Sequence, residues 1–322
     1  MKSFYDWQSN LQAKIYQINE RLVQSIYTSQ SDLYDMARYT IDSGGKRFRP
    51  LLTILVYSMI SDKPYEDILD LAAGYELIHT ASLIHDDIID RSDMRRGRPT
   101  LNKRFGVENA IVVGDYLFAK AYELGSRYGP VVSKIMADGS SRLAEGQTLE
   151  FLNRGNLYLS ENTYLEIIAG KTAHFFEACA RGSSVAAGGS AEITDYVSLF
   201  AFNLGMAFQI TDDILDFIST EDREGKPTFQ DIRENVMTLP LIRSISKDGN
   251  SGKILDLLKN GGSVSDLKEV LLKDGSIEYS FDTASRYIKN AISYLRKTEK
   301  SPNIDTLMDL AMIVIDRISS LK

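Results

Sequence analysis

The chain has 322 residues, 43% apolar and 25% charged, the composition of an ordinary globular protein with a sizeable core. Its formal net charge of −7 argues against a general nucleic-acid binder, because counterion release needs a basic face. The single cysteine, Cys179, rules out a disulfide framework and a thiolate zinc site.

Taken from its start, Met1-Lys2-Ser3-Phe4-Tyr5-Asp6 lacks the apolar core of a secretion signal, and no later apolar run reaches the length of a membrane span. A cytoplasmic protein with no integral membrane segment is expected. Leu11, Ile15, Ile18, Leu22 and Ile26 draw one helical stripe, a core or subunit contact with no chemical meaning. Further 3.6-period patterns predict helices near 48–61, 65–90, 107–128, 130–152, 160–182, 192–220, 231–247, 280–298 and 303–321. Breaks are expected at Ser43-Gly44-Gly45, Arg96-Gly97-Arg98-Pro99, Gly129-Pro130, Gly182 to Ser190 and Gly225-Lys226-Pro227. Nothing shows sustained strand alternation, and no break is long enough for an interdomain linker. The reading is all-α, with a single domain over residues 1–322.

The chemistry lies in a repeated acidic signature. Asp86-Asp87-Ile88-Ile89-Asp90 and Asp212-Asp213-Ile214-Leu215-Asp216 each place their first and last carboxylates at i and i+4, on one helix face. So many neighbouring carboxylates call for a cation, and oxygen-only ligands favour a hard divalent ion such as Mg²⁺. Cations follow. Arg95 and Arg96 come one to two helical turns after Asp90, before Gly97 and Pro99 end the helix, and guanidinium forks suit phosphate oxygens. Lys46 and Arg49, in Gly45-Lys46-Arg47-Phe48-Arg49-Pro50, open a helix and make a second anion site. Lys171-Thr172, Gln209 and Lys226 are further polar positions on or beside apolar helices, and His79 lies two turns before Asp86 on the same face. Any one of these alone reads more plainly as a capped, solvated or core residue.

Together, and in this order, Gly45 to Pro50, His85 to Asp90, Arg95-Arg96-Gly97, Gly170-Lys171-Thr172, Gln209 to Asp216 and Gly225-Lys226-Pro227 resemble the trans-isoprenyl diphosphate (polyprenyl) synthases over roughly residues 40–240. The resemblance implies a helical bundle around a deep central cavity, a homodimer, and acidic motifs facing across the cavity mouth. It implies Mg²⁺, about three ions per active site with Mn²⁺ as an alternative, held by Asp86, Asp90 and Asp212 with Asp87, Asp213 and Asp216 in support. The two substrates would be an allylic diphosphate, at Arg95, Lys171, Gln209 and Lys226, and isopentenyl diphosphate, at Gly45, Lys46, Arg49, His79 and Arg96. Thr172 and Gln209 would stabilise the carbocation left when diphosphate departs. One position departs from the family: where Asp-Ile-Arg-Glu-Gly-Lys usually precedes Thr-Leu-Pro, this chain has Val236 in place of the lysine. Either a neighbour substitutes or the allylic diphosphate binds more weakly.

The product should grow down the helix that precedes Asp86, about one isoprene unit per turn of about 5.4 Å. Ala81 and Ser82 form the first floor and are small; Leu77 and Ile78, then Gly74 and Tyr75, lie deeper. A product of twenty carbons or more, on the order of twenty-five to forty, is expected on that one-unit-per-turn rule, with geranylgeranyl diphosphate as the alternative. Two rival classes remain. A terpene cyclase would not need Lys46, Arg49 and a second intact acidic motif, and a non-catalytic partner subunit generally loses a motif that this chain keeps.

Overall fold

In a computed structural model the described residues are 11–218, 232, 234–247, 252, 254, 256–257, 264–298 and 302–319. Among them the chain is almost wholly helical, as the periodicity implies. Their contacts divide into two compact units: Met1–Ser140 with Ala178–Ser198 and Thr298–Leu307, and Ser141–Glu177 with Leu199–Lys297 and Met308–Lys322.

The first unit begins with α1 (Gln12–Ser25), whose Ile18 and Leu22 are buried as the stripe predicts. Next comes α2 (Ser31–Ile41), which the sequence reading passed over. Its signal was present: Leu33, Met36, Ala37 and Ile41 keep helical spacing, and the Gln30 side chain caps the Leu33 amide. Polar residues between them masked the stripe. Helix α3 (Phe48–Ile60) leads through a short 3₁₀ turn (Tyr65–Ile68) into α4 (Leu69–Ile89). From Leu71 to Ile78 every residue of α4 is buried, because this helix is apolar on all sides and its neighbours cover each face. After α4 come two paired two-residue strands, α5 (Leu101–Phe105) and α6 (Val107–Ser126).

Helix α7 (Gly129–Leu152) is followed by α8 (Glu161–Ile168), started by Ser160, whose hydroxyl accepts from the Thr163 amide. The helix expected over 160–182 is present without a gap but is not α-helical throughout. A π turn, Ala169–Ala173, separates α8 from α9 (His174–Ala186). A break was expected from Gly182, yet α9 runs on to Ala186. Gly182 serves close approach instead: the Tyr75 hydroxyl lies 2.2 Å from where its Cβ would stand.

Helix α10 (Ala191–Ile218) carries the second acidic motif. The helix expected over 231–247 is interrupted: among the described residues Ile232 is helical, 234–238 are not, and α11 (Leu239–Ile245) follows. Asn235 takes a left-handed φ of +57°, which breaks helical backbone, and Pro240 suits only the first turn of the helix that follows. Helices α12 (Val264–Lys273), α13 (Ser276–Leu295) and α14 (Pro302–Ser319) complete the described chain. In α13, Ile277, Ala284, Ile288, Ala291 and Leu295 are buried at helical spacing. No described helix is long and apolar enough to cross a membrane.

Candidate active site

In the first unit, α4 closes on the first acidic motif. The Asp90 amide donates to the Asp86 carbonyl at 2.8 Å, placing both residues on one helical turn, and their side chains are half-buried. Arg91, at φ +52°, stops the helix. Arg95 and Arg96 therefore do not continue it, contrary to expectation. They sit on an antiparallel hairpin pairing Met94 with Pro99 and Arg95 with Arg98. Its two central residues, Arg96 and Gly97, both have positive φ (+51° and +73°), the requirement of a type I′ turn. Tyr39 fastens the hairpin by donating to the Pro99 carbonyl at 2.8 Å.

This turn sends its two arginines to different tasks. Arg95 reaches back to Asp87, with Nε at 2.8 and 2.9 Å from the two carboxylate oxygens and Nη2 at 2.7 Å from Oδ1. Asp87 is only 5% exposed, so its charge is balanced inside the protein. Arg96 instead donates to the Gly44 carbonyl and lies across Gly45, where a Cβ would stand 3.0 Å from its Nη1. Gly45 holds a φ of +151° that side-chain-bearing residues rarely adopt, and two cation sets about fifty residues apart in sequence become one cluster.

His79 stands within that cluster. Burial, and then the positive charges of Arg49, Arg96, Arg95 and Arg47, hold its imidazole well below the usual 6.5, so it is neutral at physiological pH. Arg47 is engaged elsewhere: it pairs with buried Glu76 at 2.8 Å and donates to Asn19 and to the Ile41 carbonyl. Lys46 and Arg49 flank it, and Arg49 is 8% exposed. A neutral imidazole among guanidinium groups can donate to an anion without competing for it. The Arg47–Glu76 pair escaped the sequence reading because nothing in the spacing marks Glu76 as buried.

Of the positions expected to bound the product, Ala81, Leu77 and Ile78 are fully buried and Ser82 is 8% exposed, its hydroxyl donating to the His79 carbonyl at 2.8 Å. Tyr75 is fixed below them by a 2.7 Å bond from its hydroxyl to the Ala178 carbonyl.

In the second unit the π turn is pressed between helices. A Cβ on Gly146 of α7 would meet the Lys171 amide nitrogen at 2.2 Å, and one on Gly205 of α10 would meet Ala173 at 2.7 Å. That close approach presents Lys171 and Thr172 side by side. Lys171 pairs with Glu150 at 2.7 Å. The Thr172 hydroxyl donates to Gln209 Oε1 at 2.8 Å, and Gln209 Nε2 donates to Asp213 Oδ1 at 2.9 Å. Tyr164 donates to Asp213 Oδ2 at 2.5 Å. Burial raises Asp213 to about 7, against the lowering effect of Tyr164 and Gln209; the Asp212 and Glu150 charges push the same way as burial. Asp212 itself accepts from Arg317 of α14 at 2.6 Å, and Asp216 is half-buried. Glu150, Tyr164 and Arg317 are site residues that sequence patterns did not single out. Lys226, also expected here, lies outside the described residues.

For a divalent metal the donor chemistry fits. Each motif offers two half-buried carboxylates, Asp86 with Asp90 and Asp212 with Asp216, all hard oxygen donors. Among the described residues no group of three or more acidic, histidine or cysteine side chains forms a protein-only metal cage. Mg²⁺ needs none, since it binds through one or two carboxylates, water and substrate phosphates.

A family model, polyprenyl synthetase, matches residues 30–273. The chain belongs to the polyprenyl synthetase family. It is 33% identical over 290 residues to an all-trans-nonaprenyl-diphosphate synthase (geranyl-diphosphate specific) of Rhodobacter capsulatus, covering 88% of each chain. It is 34% identical over 301 residues to a geranylgeranyl diphosphate synthase of Sulfolobus acidocaldarius, covering 89% of this chain and 91% of that one. Among solved structures, a polyprenyl synthase from Caulobacter crescentus CB15, complexed with calcium and isoprenyl diphosphate, superposes with a TM-score of 0.91 at 30% identity over 98% of both chains. The synthase is a trans-prenyltransferase with an all-α fold.

Proposed function

We propose that this synthase condenses isopentenyl diphosphate with an allylic diphosphate, in a Mg²⁺-dependent reaction, to an all-trans polyprenyl diphosphate. The observation that carries this reading is the cluster joining Arg96 to the Gly44–Gly45 turn around neutral His79. It is an anion pocket additional to the acidic motifs, as a two-diphosphate reaction requires and a cyclase does not. The family match runs unbroken through residues of both units, which supports one synthase domain. We read the protein as a cytoplasmic homodimer.

Asp86, Asp90 and Asp212 are the leading metal ligands of this reading, with Asp87, Asp213 and Asp216 supporting them. Bound Mg²⁺ would neutralise diphosphate charge and ease its departure. Lys171, with Arg95 and Lys226, holds the allylic diphosphate, while Lys46, Arg49, Arg96 and His79 hold that of isopentenyl diphosphate. The allylic C–O bond breaks and its electron pair leaves with diphosphate. The Thr172 hydroxyl donates its hydrogen bond to Gln209, so its oxygen lone pairs are left to face the carbocation. The isopentenyl double bond then forms the new C–C bond, and its proton goes to the departed diphosphate.

With Ala81 and Ser82 as a small first floor, the product has twenty carbons or more, on the order of twenty-five to forty at about one isoprene unit per helical turn. A stop at twenty is the alternative. Purified protein with Mg²⁺, isopentenyl diphosphate and primers of increasing length, with products sized by chromatography, tests the reaction. Incorporation is expected, and none with any primer refutes it. Ala81→Phe should shorten the product; an unchanged distribution refutes the floor.

A further inference from the structure

The pocket in the second unit is lined by two cations from separate walls: Lys171 from the π turn and Arg154 from the turn after α7. Val236 lines it too, at the position where the family's lysine would stand. These walls are joined. The Gly155 amide donates to the Asn235 carbonyl at 2.8 Å, and both residues hold left-handed backbone, φ +76° and +57°. The residue before Gly155 and the residue after Asn235 are therefore neighbours in space although eighty-two positions apart (236 − 154 = 82).

The charge at this pocket makes a second cation useful. Glu150 already answers Lys171 at 2.7 Å, and Asp213 and Glu234 also line the cavity. Apart from Arg154, Lys171 is the one cation among the described residues lining this cavity, and it already answers Glu150. Arg154 is half-buried, with its guanidinium carbon 5.6 Å from the Phe151 ring centroid, and its fork suits phosphate oxygens. We infer that Arg154 binds the allylic diphosphate, supplying from the α7 side the cation that Val236 removes from the 234–238 side. This rests on the reading of the protein as a condensing enzyme. Arg154 lines the same cavity as Glu150, Asp213 and Glu234.

The test uses the full chain and two readouts: steady-state kinetics with each substrate varied in turn, and calorimetric binding of inorganic pyrophosphate with Mg²⁺. Arg154→Met should raise KM for the allylic diphosphate about ten-fold, leave KM for isopentenyl diphosphate unchanged, and weaken pyrophosphate binding in parallel. Arg154→Lys should keep part of the affinity. Val236→Lys in the intact background should tighten allylic binding, and Arg154→Met combined with Val236→Lys should recover most of the loss. A purely structural Arg154 would not be rescued by a lysine at 236, so failure of that rescue overturns the inference. Unchanged allylic KM and pyrophosphate affinity in Arg154→Met overturn it too. If the wild type makes no prenyl product yet loses pyrophosphate binding with Arg154→Met, the condensation reading fails and the anion site stands.

Discussion

The two acidic motifs share five-residue spacing and a buried middle aspartate, yet that aspartate is satisfied in opposite ways. Asp87 and Asp213 are each 5% exposed. Asp87 meets the guanidinium fork of Arg95, whereas among the described residues Asp213 meets the neutral donors Tyr164 and Gln209. A charge matched by a charge tolerates burial; a charge matched by neutral dipoles is pushed toward protonation. One copy therefore holds a guanidinium from the hairpin, and the other ends the hydrogen-bond chain from Thr172 through Gln209. The repeat is one of half-buried outer carboxylates, while the centre of each copy is specialised.

Neutralising each centre should break this symmetry. Asp87→Asn removes the anionic half of a pair whose arginine side chain is 18% exposed, and should cost about 3 kcal/mol or more of unfolding free energy at neutral pH. Asp213→Asn keeps an oxygen acceptor for Tyr164 or Gln209 and, among the described residues, removes no ion pair, so about 1 kcal/mol or less is expected. Denaturant unfolding of the metal-free protein measures both; equal losses would erase the distinction.

The same difference has a pH signature. Asp213 rises from 3.8 to about 7 on folding, so between those values the native state binds more protons than the unfolded state. Its contribution to stability is fully present below pH 3.8 and fades as pH climbs through about 7. Each pKa unit corresponds to about 1.4 kcal/mol; with Asp212 and Glu150 acting on the same site, a fall of about 2 kcal/mol between pH 5 and 8 is expected. Asp213→Asn should flatten that slope relative to wild type. An identical slope in the variant contradicts the neutral-donor account.

Much of this was legible in the sequence where the signal was local. Helix spacing placed α4 and α10, and the acidic repeat located both motifs on them. The π turn at Ala169–Ala173 was not legible, because it answers a backbone contact with Gly146 about twenty-five residues away in sequence. Likewise, Gly182 reads as a break by composition yet is helical, and it is a glycine because the Tyr75 hydroxyl occupies its Cβ space. The hairpin that sends Arg95 to Asp87 and Arg96 to Gly44 depends on two positive φ angles, one of them at an arginine. Partners that come from distant elements, such as Glu150, Tyr164 and Arg317, carry no local pattern at all.

Arg317 gives the smallest and most selective test of the contrast between motifs. The first motif draws its arginine from the hairpin a few residues downstream, while the second draws its own from α14, 105 positions away. Arg317 is 8% exposed at its side chain but Asp212 is 38% exposed, so water can take over much of what Asp212 loses. Arg317→Met should therefore cost only about 1 kcal/mol in the metal-free protein, well below Asp87→Asn. Asp212→Asn leaves the buried guanidinium without this carboxylate and should cost more than Arg317→Met does. A double-mutant cycle on the two positions should return a coupling of about 1 kcal/mol, since the contact is direct and charge-assisted. Coupling near zero would mean that α14 does not steady the second motif, and that Asp212 is oriented by its own helix alone.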